Sequence, residues 1–352
     1  MLATIAAATS DVLVIGGTGL MGAPTAARLL EAGRRVVIMS RGKTQGQGTN
    51  GRRPTTPAGA EMLLCDRDDE DAFVAALCSP DCPRVIVDFT AMKPSQVQSV
   101  RRAHEKLPLA HYIFVSTNMA YPGGVERMDV SATDGRIAEK SARLGSASEA
   151  PCNYGGNKLK CEALLHRYAA AAPPLRSTVV RPPAVVGAGC DPRHKKLQRL
   201  WHEKLQRLVL GLPPLPETKA CPPAERPGRR FRVACADDVA QVIARVVDRP
   251  PPPTHASAQR QDGGASEAYE AFNVASGGPQ GYDLDDYVAA LAAALGRPVP
   301  EVPEAPEMRN YEKQGVLDTT RAEEELGFVP TQMSEWMAAT VAWHAPLLDG
   351  CS

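Results

Sequence analysis

The chain has 352 residues, and its 40 Lys and Arg balance 40 Asp and Glu, which excludes a whole-molecule attraction to nucleic acid or to an anionic membrane. That length fits two domains, or one large domain with an elaborated C-terminal part. Nine scattered cysteines with no CxxC pair argue against a disulfide framework or a zinc site and for a reducing compartment, and no apolar run reaches the roughly 18 residues of a membrane span.

Strand and helix signals alternate from the start. Val12 to Ile15 is an apolar run ending in Gly16-Gly17, and Leu20 to Leu30 has helical periodicity and stops at Gly33. Val36 to Met39 is a second buried-type strand. Residues 42 to 59, rich in Gly, Thr, Gln and Pro, read as a loop. Met62 to Leu64, Val85 to Phe89, Tyr112 to Val115 and Ser177 to Val180 are further strands. Helices are predicted over Asp69 to Leu77, Ser95 to Glu105 and Tyr154 to Ala170, with a long polar loop before the last of these.

After Gly187 the pattern loosens. A basic helix from Lys195 to Leu210 leads into a Pro-rich loop over 211 to 228. Phe231 to Cys235 reads as a strand and Asp238 to Val247 as a helix, and 249 to 268 is a low-complexity insertion. A strand near Phe272 to Val274 and helices over Leu284 to Leu295, Thr319 to Leu326 and Ser334 to Trp343 close the chain. Apolar strands alternating with amphipathic helices predict an α/β fold. Right-handed crossovers make it a Rossmann-like, doubly wound parallel sheet, with a smaller C-terminal α+β part. The expected division is 1–187 for the Rossmann domain and 188–352 for a part interleaved with it.

The turn Gly16-Gly17-Thr18-Gly19-Leu20-Met21-Gly22 satisfies GxxGxxG from Gly16 and GxGxxG from Gly17. It joins a strand to a helix, the setting in which glycines let a backbone approach a pyrophosphate and the helix turns free N–H groups toward it. A dinucleotide is the expected ligand. At the end of the second strand an NAD site places an acid, whereas this chain has Met39-Ser40-Arg41-Gly42-Lys43. Arg41 and Lys43 suit a 2′-phosphate, so NADP is expected, with NAD as the alternative.

Tyr154-Gly155-Gly156-Asn157-Lys158 puts a phenol and an ammonium one turn apart on a helix. A phenol titrates near about 10, and a neighbouring ammonium lowers that; a shift of about 3 units corresponds to ~4 kcal/mol. The strand end Ser116-Thr117 supplies a hydroxyl partner, Thr117 before Ser116, at the sheet edge where such folds bind ligands.

Taken together, these residues resemble the extended short-chain dehydrogenase/reductase superfamily, the NAD-dependent epimerase/dehydratase group. The resemblance also takes in Asp66-Arg67, Arg181-Pro182-Pro183 with Val186-Gly187, Ala236-Asp237-Asp238-Val239-Ala240, Phe272-Asn273-Val274 and Leu326-Gly327-Phe328-Val329-Pro330. It implies that Asp66 and Arg67 lie near the adenine, that the loop after Arg181 and Pro182 passes the nicotinamide, and that residues beyond about 187 build the substrate side. Asp238 can equally be a helix N-terminal cap. Asn118-Met119 stands where dehydratases of the group carry Asp-Glu, which excludes their elimination chemistry. Pro183-Ala184-Val185 replaces an Asn-bearing segment of the sugar-nucleotide epimerases. Arg41-Gly42-Lys43 is similar to the branch of the plastid stem-loop RNA-binding proteins, although that branch lacks a complete YxxxK.

The expected activity is that of an NAD(P)-dependent oxidoreductase or epimerase: hydride transfer on a small carbonyl/hydroxyl or sugar-type substrate, with Tyr154 moving the proton, Lys158 tuning it and holding the nicotinamide ribose, Thr117 orienting the substrate oxygen, and no metal. The alternative is a Rossmann body with little or no turnover that serves as a scaffold or binds RNA through Arg193-His194-Lys195-Lys196, Arg199, His202, Lys204 and Arg207, and through Arg226, Arg229, Arg230 and Arg232. With only Trp201 and Phe231 to stack on bases, nucleic acid is not favoured. No membrane role is expected, and a homodimer stays open. The expected location is the cytoplasm, or the plastid stroma should a presequence have been removed.

Overall fold

The computed structural model describes residues 11–42, 56–121, 136–137, 153–188, 230–231, 233–249, 268–277, 282–299 and 316–348. The predicted basic helix over 195 to 210 and the Pro-rich loop lie outside them, as do Lys43 and all but the two ends of the 249 to 268 insertion.

The first half alternates as its apolar pattern dictates. Strands β1 (Val12–Ile15), β2 (Val36–Ser40), β3 (Glu61–Leu64), β4 (Val85–Asp88) and β5 (His111–Val115) are interleaved with α1 (Gly22–Glu31), α2 (Glu70–Leu77) and α3 (Pro94–Lys106). A single 3-10 turn, Asn118–Ala120, follows β5. The long polar loop expected next contains a two-residue strand, β6 (Arg136–Ile137), before α4 (Asn153–Ala169) and β7 (Ser177–Arg181). A three-residue strand, β8 (Ala184–Val186), was hidden by the Pro-Pro that precedes it.

Beyond it, the single strand expected over Phe231 to Cys235 is two, β9 (Arg230–Phe231) and β10 (Val233–Cys235), in different sheets. Helix α5 (Ala236–Asp248), β11 (Tyr269–Asn273), β12 (Tyr282–Asp283), α6 (Leu284–Leu295), β13 (Val316–Leu317), α7 (Thr320–Leu326) and α8 (Met333–Leu348) follow.

Seven strands form one sheet in the order β11-β7-β5-β4-β1-β2-β3, and every pairing in it is parallel. Adjacent residues of β1 point to opposite faces. Val12 and Val14 pack with Ala26 and Leu29 of α1 and with Val239, Val242, Ile243 and Val246 of α5. Leu13 and Ile15 pack with Phe73, Val97, Val100 and Leu165 on α2, α3 and α4. The spacing 239, 242, 243, 246 is one stripe of a helix, which is why α5 is drawn back onto α1 from the second half of the chain. β11 returns to the same sheet, pairing Phe272 with Val180.

A separate apolar cluster joins β8 and β10 to α6 and α8 through Val186, Val233, Tyr287, Leu291 and Trp336. Asp238 is not the N-cap of α5; that position is Cys235. Its buried carboxylate instead accepts the Thr331 N–H at 2.9 Å, the Thr331 hydroxyl at 2.6 Å and the Ser276 hydroxyl. It ties α5 to the segment before α8.

Candidate active site

The carboxyl ends of β1, β4 and β5 lie side by side, and the site is built there. After β1 the chain turns at Gly16, whose φ of 85° is open to glycine without strain. A Cβ on Gly16 would lie 2.6 Å from the Thr90 methyl, and one on Gly22 would lie 2.2 Å from the Gly16 carbonyl oxygen. The glycines therefore let α1 start directly against the end of β1. Gly19 is exposed at the apex, with Thr18, Leu20 and Met21 half-buried around it. This is a backbone cradle with no side chain at its crest, the form a diphosphate requires.

The next strand end carries Ser40, whose hydroxyl accepts the Gly42 N–H at 3.0 Å. Arg41 beside it is exposed and forms no ion pair with any described residue.

On α4, Tyr154 is 41% exposed while Lys158 is 1% exposed. The Lys158 Nζ donates to the carbonyls of Ala91 and Val115, each at 2.7 Å. It sits 4.7 Å from the Phe114 ring centroid and 5.8 Å from that of Tyr154. An ammonium has three N–H donors, so one is left without an acceptor among the described residues. Burial pushes the Lys158 ammonium down to about 8, with Asp88 acting in the opposite sense.

Thr117 is in extended backbone, and its hydroxyl oxygen accepts the Met119 N–H at 3.2 Å, which starts the 3-10 turn. The Pro182 carbonyl accepts the Asn118 N–H at 3.0 Å, so the segment after β7 is laid against that turn. The cradle, the Tyr154–Lys158 pair, Thr117 and Pro182 thus share one edge of the sheet.

A model of the NAD dependent epimerase/dehydratase family matches residues 12–256. The chain belongs to that family. The same fold occurs in the UDP-glucose 4-epimerase of Bifidobacterium longum, solved in complex with NAD+ and UDP (TM-score 0.67, 17% identity, 97% of this chain and 100% of that one). It occurs in the Thermus thermophilus UDP-glucose 4-epimerase complex with NAD (0.64, 20%, 95% and 99%). A third similar structure is a putative epimerase from Burkholderia cenocepacia J2315 (0.63, 21%, 96% and 99%). No curated protein matches the sequence.

Other residues singled out in this epimerase/dehydratase-family chain have partners of their own. The Arg67 guanidinium is buried and donates to both oxygens of Asp88, at 2.7 and 2.8 Å, while Asp66 accepts the Asp68 N–H at 3.2 Å. The Ser116 hydroxyl donates to Glu162, turning into the protein. Arg181 is wholly buried and pairs with the same Glu162 at 2.6 Å. It also donates to the Tyr121 hydroxyl oxygen at 3.1 Å, and that hydroxyl in turn donates to Asn273 at 2.6 Å.

Sequence reasoning passed over Asp88, Tyr112, Glu162 and Tyr121. Two signals were present: Asp88 is an acid ending an apolar strand, and Glu162 stands one turn beyond Lys158. Of the basic stretches, only Arg230 and Phe231 are described, in β9. Among the described residues no group of three or more His, Cys, Asp or Glu could hold a metal, and no helix is long and apolar enough to cross a membrane.

Proposed function

We propose that this chain is an NADP-dependent oxidoreductase or epimerase acting on a carbonyl or hydroxyl compound, with NAD as the alternative cofactor. One observation carries the reading. A buried ammonium, Lys158, spends two N–H donors on carbonyls and keeps one, beside an exposed phenol and at the same sheet edge as a glycine-cleared cradle. A side chain buried only to hold two carbonyls would be costly to keep charged; a ribose hydroxyl is a fitting acceptor for the third donor.

A nicotinamide dinucleotide would supply hydride donation and acceptance. Gly16 to Gly22 would hold its diphosphate, and Asp66 would face the adenine end. Tyr154, open to solvent, would give a proton to the substrate oxygen on reduction and take it on oxidation. Lys158 favours the phenolate by its charge, and Thr117 would orient the substrate oxygen. Pro182 and the residues beyond about 187 would line the substrate side. Neighbours solved with NAD+ and with UDP support a nicotinamide cofactor and a sugar-type substrate. The exposed Arg41, where an acid would mark NAD, favours NADP.

Calorimetry with NADP and NAD tests the cofactor. A screen of carbonyl and sugar-nucleotide compounds, following NADPH absorbance, tests the class. Binding of neither dinucleotide to the folded chain would defeat the assignment.

A further inference from the structure

Asp88 is wholly buried at the end of β4 and collects donors from three directions. Its Oδ1 accepts Arg67 at 2.7 Å and the N–H groups of Thr90 and Ala91 at 2.8 and 3.0 Å. Its Oδ2 accepts Arg67 at 2.8 Å and the Tyr112 hydroxyl at 2.8 Å. Arg67 donates as well to the Thr90 hydroxyl oxygen at 2.8 Å. Only a carboxylate can accept at both oxygens; an amide here would set its NH2 against the donors of Arg67 or Tyr112.

The segment held in this way touches both halves of the site. The Thr90 methyl lies 2.6 Å from where a Cβ on Gly16 would fall, and so closes the floor of the cradle. The Ala91 carbonyl takes one N–H of Lys158. The Phe89 N–H donates to Ile15, the last residue before the cradle, at 3.1 Å. Moving the backbone of residues 89 to 91 would displace the cradle floor and the ammonium together.

We propose that Asp88, clamped by Arg67 and Tyr112, is a positioning residue that joins the Gly16 cradle and the Lys158 ammonium into one unit through residues 89 to 91. The inference rests on the dinucleotide reading above and adds to it a residue that touches neither cofactor nor substrate. An uncompensated charge at this depth would be prohibitive. Burial opposes the Asp88 anion, but Arg67 and the surrounding donors outweigh it and hold the carboxyl below its ordinary range. Burial, with Asp88 beside it, keeps the Tyr112 phenol protonated as a donor. The charged and titratable groups around Lys158 are Asp88 at the end of β4, Arg67 after β3, and Cys161 and Glu162 on its own helix, with the Tyr154 ring 5.8 Å away. Asp88 and Glu162 favour the ammonium, and Arg67 opposes it.

The test uses the full chain as native protein, Asp88→Asn, Tyr112→Phe and a control, Thr178→Val, which removes a buried hydrogen bond to His111 at the opposite ends of the strands. Lysine 13Cε NMR follows the titration of Lys158, assigned by its loss in Lys158→Met, and calorimetry follows NADP and NAD. In Asp88→Asn the Lys158 midpoint falls by about 1 pH unit or more, since the anion is gone and Arg67 stays. Dinucleotide affinity weakens in Asp88→Asn and in Tyr112→Phe, and stays native in Thr178→Val. An unmoved Lys158 midpoint in folded Asp88→Asn overturns the proposal. Should Asp88→Asn not fold, Tyr112→Phe decides: affinity no weaker than in the control overturns it. A native protein that binds neither dinucleotide defeats the functional reading instead.

Discussion

Gly155 lies so close to Met119 that a Cβ on it would fall 1.9 Å from the Met119 carbonyl oxygen. That contact seats α4 on the 3-10 turn after β5, and it brings Tyr154 to the strand end that carries Thr117. A Gly155→Ala change has no room without a backbone shift. The expected cost is about 1–3 kcal/mol of stability, read from urea unfolding, together with loss of turnover out of proportion to any change in dinucleotide affinity. A variant with native stability and turnover would show that the two elements need not meet closely.

Replacing the phenol separates binding from chemistry. Tyr154→Phe keeps the ring that lies beside Lys158 and removes only the phenolic oxygen. Dinucleotide affinity should stay native while turnover falls by about 10²–10⁴-fold, the range for a lost general acid-base group. Lys158→Met should weaken the dinucleotide as well, because the donor left over from Ala91 and Val115 goes with it. Steady-state kinetics beside calorimetry checks both, and turnover surviving in Tyr154→Phe would remove the phenol from the chemistry.

Much of this was legible in the sequence, for a definite reason. Runs such as Val12–Ile15 and Val85–Val87 are apolar at successive positions because both faces of a parallel sheet are covered, so strands and helices declare themselves by pattern. The cradle and the Tyr154–Lys158 pair were legible because their spacing is local. Partnerships across the fold were not. Nothing near Arg67 in the chain indicates that its guanidinium is spent on Asp88, 21 residues away. Nor does Ser116 show that its hydroxyl turns inward to Glu162, 46 residues away, leaving Thr117 as the residue beside the turn. β6, β12 and β13 were missed because two-residue strands have no period to read.

At the amino ends of the strands, His111 gives a prediction independent of function. It is buried, its Nε2 lies 2.8 Å from the Thr178 hydroxyl, and that hydroxyl donates to Glu270 at 2.9 Å. Burial, reinforced by Arg176 and Arg249, pushes its folded value down to about 3 from an ordinary 6.5. Between those values the unfolded chain takes up a proton that the folded chain refuses. The contribution is therefore fully favourable above 6.5 and is lost as pH falls toward about 3, at ~1.4 kcal/mol per unit. Urea unfolding at pH 7, 5 and 4 should show a steeper acid loss in the native protein than in His111→Asn. Equal slopes would mean that His111 takes up its proton as readily in the fold as in the unfolded chain.

The proposal of NADP rests on Arg41. It is exposed just past Ser40 at the end of β2, free of any ion pair with a described residue, in the stretch of sequence where an NAD site carries an acid. A guanidinium that is already solvated loses little on meeting a phosphate and gains charge-assisted hydrogen bonds. NAD offers it only a hydroxyl. Arg41→Ala should therefore weaken NADP by about tenfold and leave NAD within about twofold, so the preference between them narrows or reverses. Raising the salt concentration should weaken NADP more than NAD in the native protein and have little effect on that difference in the variant, because exposed charge pairs are screened. Calorimetry of both dinucleotides at two ionic strengths makes the comparison. Equal losses for NADP and NAD would move the selectivity away from this residue.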